Sequence, residues 1–349
     1  MNLDDLNVFK KIDSLNMLSE IDNLPNQLEM AWQTGQDYPL PKFESISQVV
    51  ISGMGGSAIG ADMLTAYAQQ ICKVPICVHR NYGLPAWVNH DTLVISSSHS
   101  GNTEETFSSF EEALKKGAPI VAITTGGKLA EEARVDISTL WKFKHKGQPR
   151  AAVGFSFGLL LSLFMRLGLI PDQSKNVRDT IATLRMYQRT LKADVPVQSN
   201  PAKRMAGQAV GRWVVIIGAD HFAPIARRWK TQINELAKAW AQFDFLPEAD
   251  HNTLAGVINH EPILLKTMVL FLKGRWEHKR NSLRTDITSR ELMVAGLNTE
   301  VLKFEYEHPL MEMWNSLLFG DYLAYYLAML YKIDPTPVDA IENLKLAMK

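Results

Sequence analysis

Short apolar runs separated by amphipathic stretches recur along most of the chain. Gln48-Val-Val-Ile-Ser-Gly53 is a β-rich run that ends on glycine, and a helical pattern follows over 57–71. Further apolar runs stand at 75–79, 92–96 and 119–124, and polar and apolar residues alternate at helical spacing over 103–116. Apolar runs of this length alternating with helices predict parallel βαβ units with a sheet covered on both faces. Two mainly helical segments come next, at 151–168 and 174–191. The alternation then restarts with a strand at Trp213-Val-Val-Ile-Ile-Gly218, a helix over 222–238, and strands at 266–272 and 299–306. A long helical stretch over 310–331, a Pro335/Pro337 breaker and a helix over 338–348 close the chain. The pattern predicts an α/β protein of two doubly wound parallel-sheet domains joined by helices. Expected boundaries are 1–150 for the first domain, 151–195 for a helical connector and 196–349 for the second domain.

Residues 151–165 are almost wholly apolar, but the run is about fifteen long, against the roughly eighteen or more that cross a bilayer. Arg150 and Arg166 bracket it, so a buried helix is expected. A length of 349 residues exceeds one ordinary core and supports the two-domain reading. Lys plus Arg equal Asp plus Glu at 37 each, which excludes a chain-wide footprint for nucleic acid or an anionic membrane and leaves room for a local anion pocket. Cys72 and Cys77 are too few for a disulfide framework and lack the spacing of a zinc site. With an N-terminus lacking the apolar core of a signal peptide, a reducing, cytoplasmic compartment is expected.

Two turns carry the chemistry. Gly53-Met-Gly-Gly-Ser-Ala58 joins a strand to a helix, where glycines admit close ligand approach and the helix start offers unpaired N–H groups to an anion. Ser96-Ser-Ser-His-Ser-Gly-Asn-Thr103 repeats the arrangement, with Ser98, Ser100 and Thr103 adding hydroxyls around Gly101. Carboxyl ends of parallel strands are where such crevices form. Gly53-x-Gly55-x-x-Ala58 also fits a dinucleotide fingerprint, which requires an acid about twenty residues on; the chain has His79 and Arg80 there. For the second turn, a serine-rich helix cap that binds nothing stays open as an alternative.

Gly55-Gly56-Ser57 together with Ser98-His-Ser-Gly-Asn-Thr103 resembles the paired phosphate turns of the sugar isomerase (SIS) domain. Pro149-Arg-Ala-Ala152, Asn234-Glu235-Leu-Ala-Lys238, Leu246-Pro-Glu-Ala-Asp-His-Asn252 and Lys332-Ile-Asp-Pro-Thr-Pro-Val338 with Ile341-Glu-Asn-Leu-Lys345 follow in order. Over nearly the whole chain this order resembles the bifunctional phosphoglucose/phosphomannose isomerases. The resemblance implies flavodoxin-like SIS domains and an aldose–ketose isomerase that interconverts glucose-6-phosphate or mannose-6-phosphate with fructose-6-phosphate through an enediol. It implies that Gly55, Gly56, Ser57, Ser98, Ser100 and Thr103 form the phosphate site. Glu235 would move the proton between C1 and C2, His251 would assist ring opening, Lys332 would contact ring or hydroxyl oxygens, and Arg150 would stabilise the enediolate. It further implies a homodimer in which the histidine reaches the partner's site. The family pattern usually has tyrosine at the position of His99 and an acid at that of Thr253.

Residue by residue, blander readings exist: Glu235 as a helix-surface partner of Lys238, His251 as a loop histidine, Lys332 as a helix C-terminal cation, Arg150 as a boundary residue. Their joint order carries the assignment. Aldose–ketose exchange needs a carboxylate base, a donor for enediolate charge and remote binding energy from the phosphate, and these residue types supply all three without metal or cofactor. Nine histidines include no His-x-His or His-Glu-x-x-His spacing, so no metal site is expected. The alternative outside catalysis is an SIS-type sugar-phosphate sensor, which would carry an output domain such as a helix-turn-helix; the first 45 residues are too short and acidic for one. An amidotransferase-type isomerase would need an N-terminal cysteine where Asn2 stands.

Overall fold

The computed structural model describes residues 2–135 and 139–348. The chain divides into two compact units, Asn23–Ile181 and Met1–Asp22 with Ala182–Lys349.

The first unit is built on five parallel strands: β1 (Gln48–Ser52), β2 (Ile76–His79), β3 (Thr92–Ser98), β4 (Ile120–Thr124) and β5 (Thr139–Lys142). Their order is β2-β1-β3-β4-β5, the flavodoxin-like winding. The unbroken apolar runs of β1 and β3 follow from cover on both faces, with Val49, Val50, Ile51, Leu93, Val94 and Ile95 wholly buried. On one face Val50, Val94 and Ala122 pack with Phe110, Ala113 and Leu129. The side on which successive strands are added switches between β1 and β3, and the parallel register pairs Ser52 with Ser96. Segments 53–57 and 99–103 therefore leave the sheet at its carboxyl edge from neighbouring strands.

The apolar run after Arg150 is the helix Val153–Arg166. It packs against the helices Leu24–Asp37 and Gly55–Ala68, which accounts for its burial over 153–164. Among the described residues no helix is long and apolar enough to cross a membrane. The expected connector is thus split: the apolar helix is a layer of the first unit, and the division falls at 181/182, inside the helix Ser174–Gln188.

The second unit has four parallel strands, β6 (Trp213–Ala219), β7 (Ala241–Leu246), β8 (Thr267–Lys273) and β9 (Asn298–Lys303), ordered β7-β6-β8-β9. The N-terminal residues expected in the first domain belong here instead. Polar side chains tie them down: Tyr325 Oη donates to Asp13 Oδ2 at 3.1 Å, Tyr322 to Asp22, and Lys203 Nζ pairs with Asp4 at 3.1 Å. The helix Pro309–Tyr331 is buried from Glu312 to Met329 and forms the spine of the unit. Asp321 on this helix receives Arg228 Nε at 3.1 Å and Nη2 at 2.8 Å, with both side chains buried. Removing one partner strands a desolvated charge, so Asp321→Ala is expected to cost about 3 kcal/mol, read as a lowered urea midpoint.

Candidate active site

The turn after β3 is organised by its hydroxyls and one glycine. Ser98 Oγ accepts from Gly101 N at 3.1 Å and lies 3.0 Å from Thr103 Oγ1. Ser100 Oγ accepts from Asn102 N at 3.2 Å and is exposed. Gly101 has φ +69°, and a Cβ there would strike the Gly126 carbonyl, so only glycine closes this turn. Thr103 is the N-cap residue of the helix Glu104–Lys115, yet its side chain makes no capping bond. The capped-loop reading of this turn therefore loses its main support. The helix's free N–H groups and the paired hydroxyls converge on one spot, a ready arrangement for an anion.

Beside it, Gly55 begins the helix Gly55–Ala68 with φ +52°, and Ser57 is buried in its first turn. A Cβ on Gly56 would sit 2.5 Å from the Pro149 carbonyl oxygen and 3.3 Å from Arg150 Cα. This close approach brings Arg150, which is buried, onto the first glycine turn. At the end of β2, where a dinucleotide site needs an acid, Arg80 instead pairs with Asp62.

Glu235 and Lys332 stand at helix ends on the amino edge of the second sheet. Glu235 is half-buried in the last turn of the helix Ala223–Leu236, and its neighbour Asn234 accepts from Ala241 N at 2.8 Å, fixing this helix end to the start of β7. Lys332 caps the helix Pro309–Tyr331 in the left-handed region at φ +57°. Tyr331 Oη accepts from Gly211 N at 2.9 Å, just before β6. Lys238 joins the two ends: its Nζ donates to the Glu235 carbonyl at 2.6 Å and to the Pro335 carbonyl at 3.3 Å. A cavity of about 700 Å³ opens here, lined by Lys238, by Tyr331 and Ile333 on either side of Lys332, and by Trp213 and Trp240.

His251 stands elsewhere. It is exposed at the end of the turn Glu248–His251, past the carboxyl end of β7. The turn is braced by Asp250, which accepts from Arg284 Nη1 at 2.8 Å and Thr288 Oγ1 at 2.7 Å. The six residues of β7 separate it from Glu235 by roughly 20 Å. The structure thus gathers Ser57, Ser98, Ser100, Thr103 and Arg150 at one sheet edge and Glu235 with Lys332 at another, and holds His251 apart from that pair. Sequence reasoning missed His145, whose Nδ1 lies 2.8 Å from His99 Nε2. Nothing local signals a contact across that span of chain.

The SIS domain model matches residues 42–164, and the model of the bacterial phospho-glucose isomerase C-terminal SIS domain matches 198–348. The chain is 40% identical to the bifunctional phosphoglucose/phosphomannose isomerase of Caldicellulosiruptor bescii, over 94% of this chain and 98% of that protein. The protein of the same name from Aquifex aeolicus is 34% identical over 86% and 90%. Among solved structures, a hypothetical protein of Thermus thermophilus shares the fold with TM-score 0.77 at 15% identity, covering 99% of this chain and 92% of that one. The C-terminal domain of glucosamine-fructose-6-phosphate aminotransferase from Francisella tularensis does so with TM-score 0.72 at 14% identity, over 92% and 97%. The paired glycine and hydroxyl turns, the two parallel sheets and full-length similarity at 40% identity agree: the chain belongs to the bifunctional phosphoglucose/phosphomannose isomerase family.

Proposed function

We propose that this protein interconverts glucose-6-phosphate and mannose-6-phosphate with fructose-6-phosphate through an enediol intermediate. The observation that carries the reading is the convergence of hydroxyls and helix N–H groups at the β1/β3 switch point, in a chain of this family. A phosphate held by Ser57, Ser98, Ser100 and Thr103 supplies binding energy remote from the reacting carbons. Glu235 takes the proton from C2 of the aldose and returns it to C1. The two aldoses are epimers at C2, and the enediol erases that centre, so one carboxylate serves both. Arg150 offsets the enediolate charge, and Lys332 holds a ring or hydroxyl oxygen.

His251 assists ring opening from a second copy of the chain. A β-strand's length between it and Glu235 supports this, because a histidine on the opposite edge of the same sheet cannot serve its own chain's base. The functional unit in this reading is a homodimer with shared sites.

Assay of the purified protein with each aldose phosphate, coupled to detection of fructose-6-phosphate, is the direct test. Turnover of both is expected; binding of both without conversion would make the protein a sensor instead. Ser100→Ala with Thr103→Ala should weaken fructose-6-phosphate binding at least tenfold, since each charge-assisted hydrogen bond is worth roughly 1.5–3 kcal/mol. Unchanged calorimetric affinity in this double variant would displace the phosphate from these turns.

A further inference from the structure

We propose that His99 and His145 form a positioning pair that ties the loop carrying Arg150 to the phosphate turn. The inference rests on the reading of that turn as a phosphate site and of Arg150 as the enediolate's partner. Both ends of the loop are anchored. Phe143 N donates to the Thr124 carbonyl at 3.1 Å, and Pro149 lies against Gly56. Between these anchors the His99 Nε2–His145 Nδ1 contact of 2.8 Å is a side-chain tie to the turn after β3.

The backbone of His99 is itself fixed, its carbonyl accepting from Thr125 N at 3.1 Å and Thr125 Oγ1 at 2.7 Å. Its chain neighbours are Ser98 and Ser100, both placed on the phosphate. The rings cross edge to face at 5.1 Å and 82°, in an aromatic wall of Phe143 and Phe155 that stack at 5.0 Å. His99 meets Phe143 at 5.9 Å and His145 meets Phe155 at 5.8 Å. This wall restrains ring rotation, so the tie transmits the position of the turn to the loop. A shift of about 1 Å in a charge-stabilising group costs up to about 100-fold in turnover, which is the lever the pair holds.

The tie exists only while one ring nitrogen can accept. With both rings protonated, each nitrogen is a donor and the two charges repel. The charged groups on the surrounding elements are Lys144 and Lys146 on the loop, Arg150 at its end, Lys128 after β4, and Glu104 and Glu105 at the start of the helix after the turn. The elements packed on the rings otherwise present Ser98, Ser100, Thr103, Thr124 and Thr125, and the two phenylalanines.

The test measures kcat and KM for fructose-6-phosphate between about pH 5 and pH 9. His145→Phe keeps ring packing and removes the bond; kcat should fall about 10- to 100-fold with KM little changed. His145→Gln restores a hydrogen-bonding group, and kcat should recover most of the loss seen in His145→Phe. Wild-type kcat in His145→Phe, or a kcat in His145→Gln as low as that in His145→Phe, overturns the proposal. The Ser100→Ala, Thr103→Ala double variant separates the two levels. Undiminished phosphate-ester binding there removes the phosphate reading, whereas weakened binding with normal kcat in His145→Phe removes the pair's role alone.

Discussion

Glu235→Gln is expected to lower isomerase turnover by about 10²–10⁴-fold while substrate still binds. The amide keeps the shape of the helix end but cannot accept the carbon-bound proton, and the proposed phosphate grip lies on the other unit of the chain. Exchange of solvent deuterium into C2 of the aldose should fall in parallel. His251→Ala should instead slow ring opening and spare an open-chain substrate. The two variants together test the shared site. If His251 serves the partner, equal mixing after subunit exchange creates heterodimers with one fully intact site, and about a quarter of wild-type activity should return. If each chain supplied both residues, no heterodimer site would be intact and nothing would return. Ordinary turnover in Glu235→Gln would move the base to another carboxylate. Glu248 is the first to test, since it sits at the head of the His251 turn and accepts from Asn252 Nδ2 at 2.9 Å.

Strands covered on both faces were legible because their sequence is uniformly apolar: β1, β3, β4, β6 and β8 all show as runs. Of the four edge strands, β2 and β9 showed as runs and two did not. Ala241-Gln-Phe-Asp-Phe-Leu246, which is β7, alternates and is only partly buried, and Thr139-Leu-Trp-Lys142, which is β5, is four residues at a sheet edge. The helix Lys279–Val294 is predominantly polar and lacks a clear apolar stripe. Placement of the first 22 residues on the second unit depends on distant partners, such as Tyr325 for Asp13, that no local pattern encodes. The same division runs through the site. A phosphate turn is a local object, because glycines and hydroxyls within eight residues make it. The placement of Glu235 and Lys332 at one sheet edge arises where Lys238 ties two helix ends together, and only the resemblance to a family singled these residues out. The His99–His145 tie has neither kind of signal.

Raising the pH from 5 to 9 is expected to destabilise the second unit through Glu277, and Glu277→Gln should abolish that component. Glu277 follows β8 and is buried at the carboxyl edge of the second sheet. Burial pushes its carboxyl up to about 8; the Gly274 N–H and Lys273 oppose this, and the negative charges of Asp220 and Glu312 add to it. Neither of those acids is free to move away. Asp220 accepts from His278 N at 2.8 Å and Asn281 Nδ2 at 3.0 Å, and Glu312 accepts from Arg275 N at 2.7 Å and meets His221 Nε2 at 2.9 Å. The sign follows from linkage. Below the unfolded value of 4.5 both states hold the proton and Glu277 costs nothing. Between 4.5 and about 8 the folded state keeps a proton that the unfolded state has released, so stability falls as pH rises. Above about 8 the penalty is constant, with an upper bound of about 5 kcal/mol. Glutamine is neutral at every pH and fills the same space. The Tm of Glu277→Gln should therefore match the wild type near pH 5 and exceed it by several degrees at pH 9. Other carboxylates titrate equally in both proteins and cancel in the difference. Parallel Tm curves across this range would mean that Glu277 is ionised in the folded protein, with a counter-charge drawn to it when the unit folds.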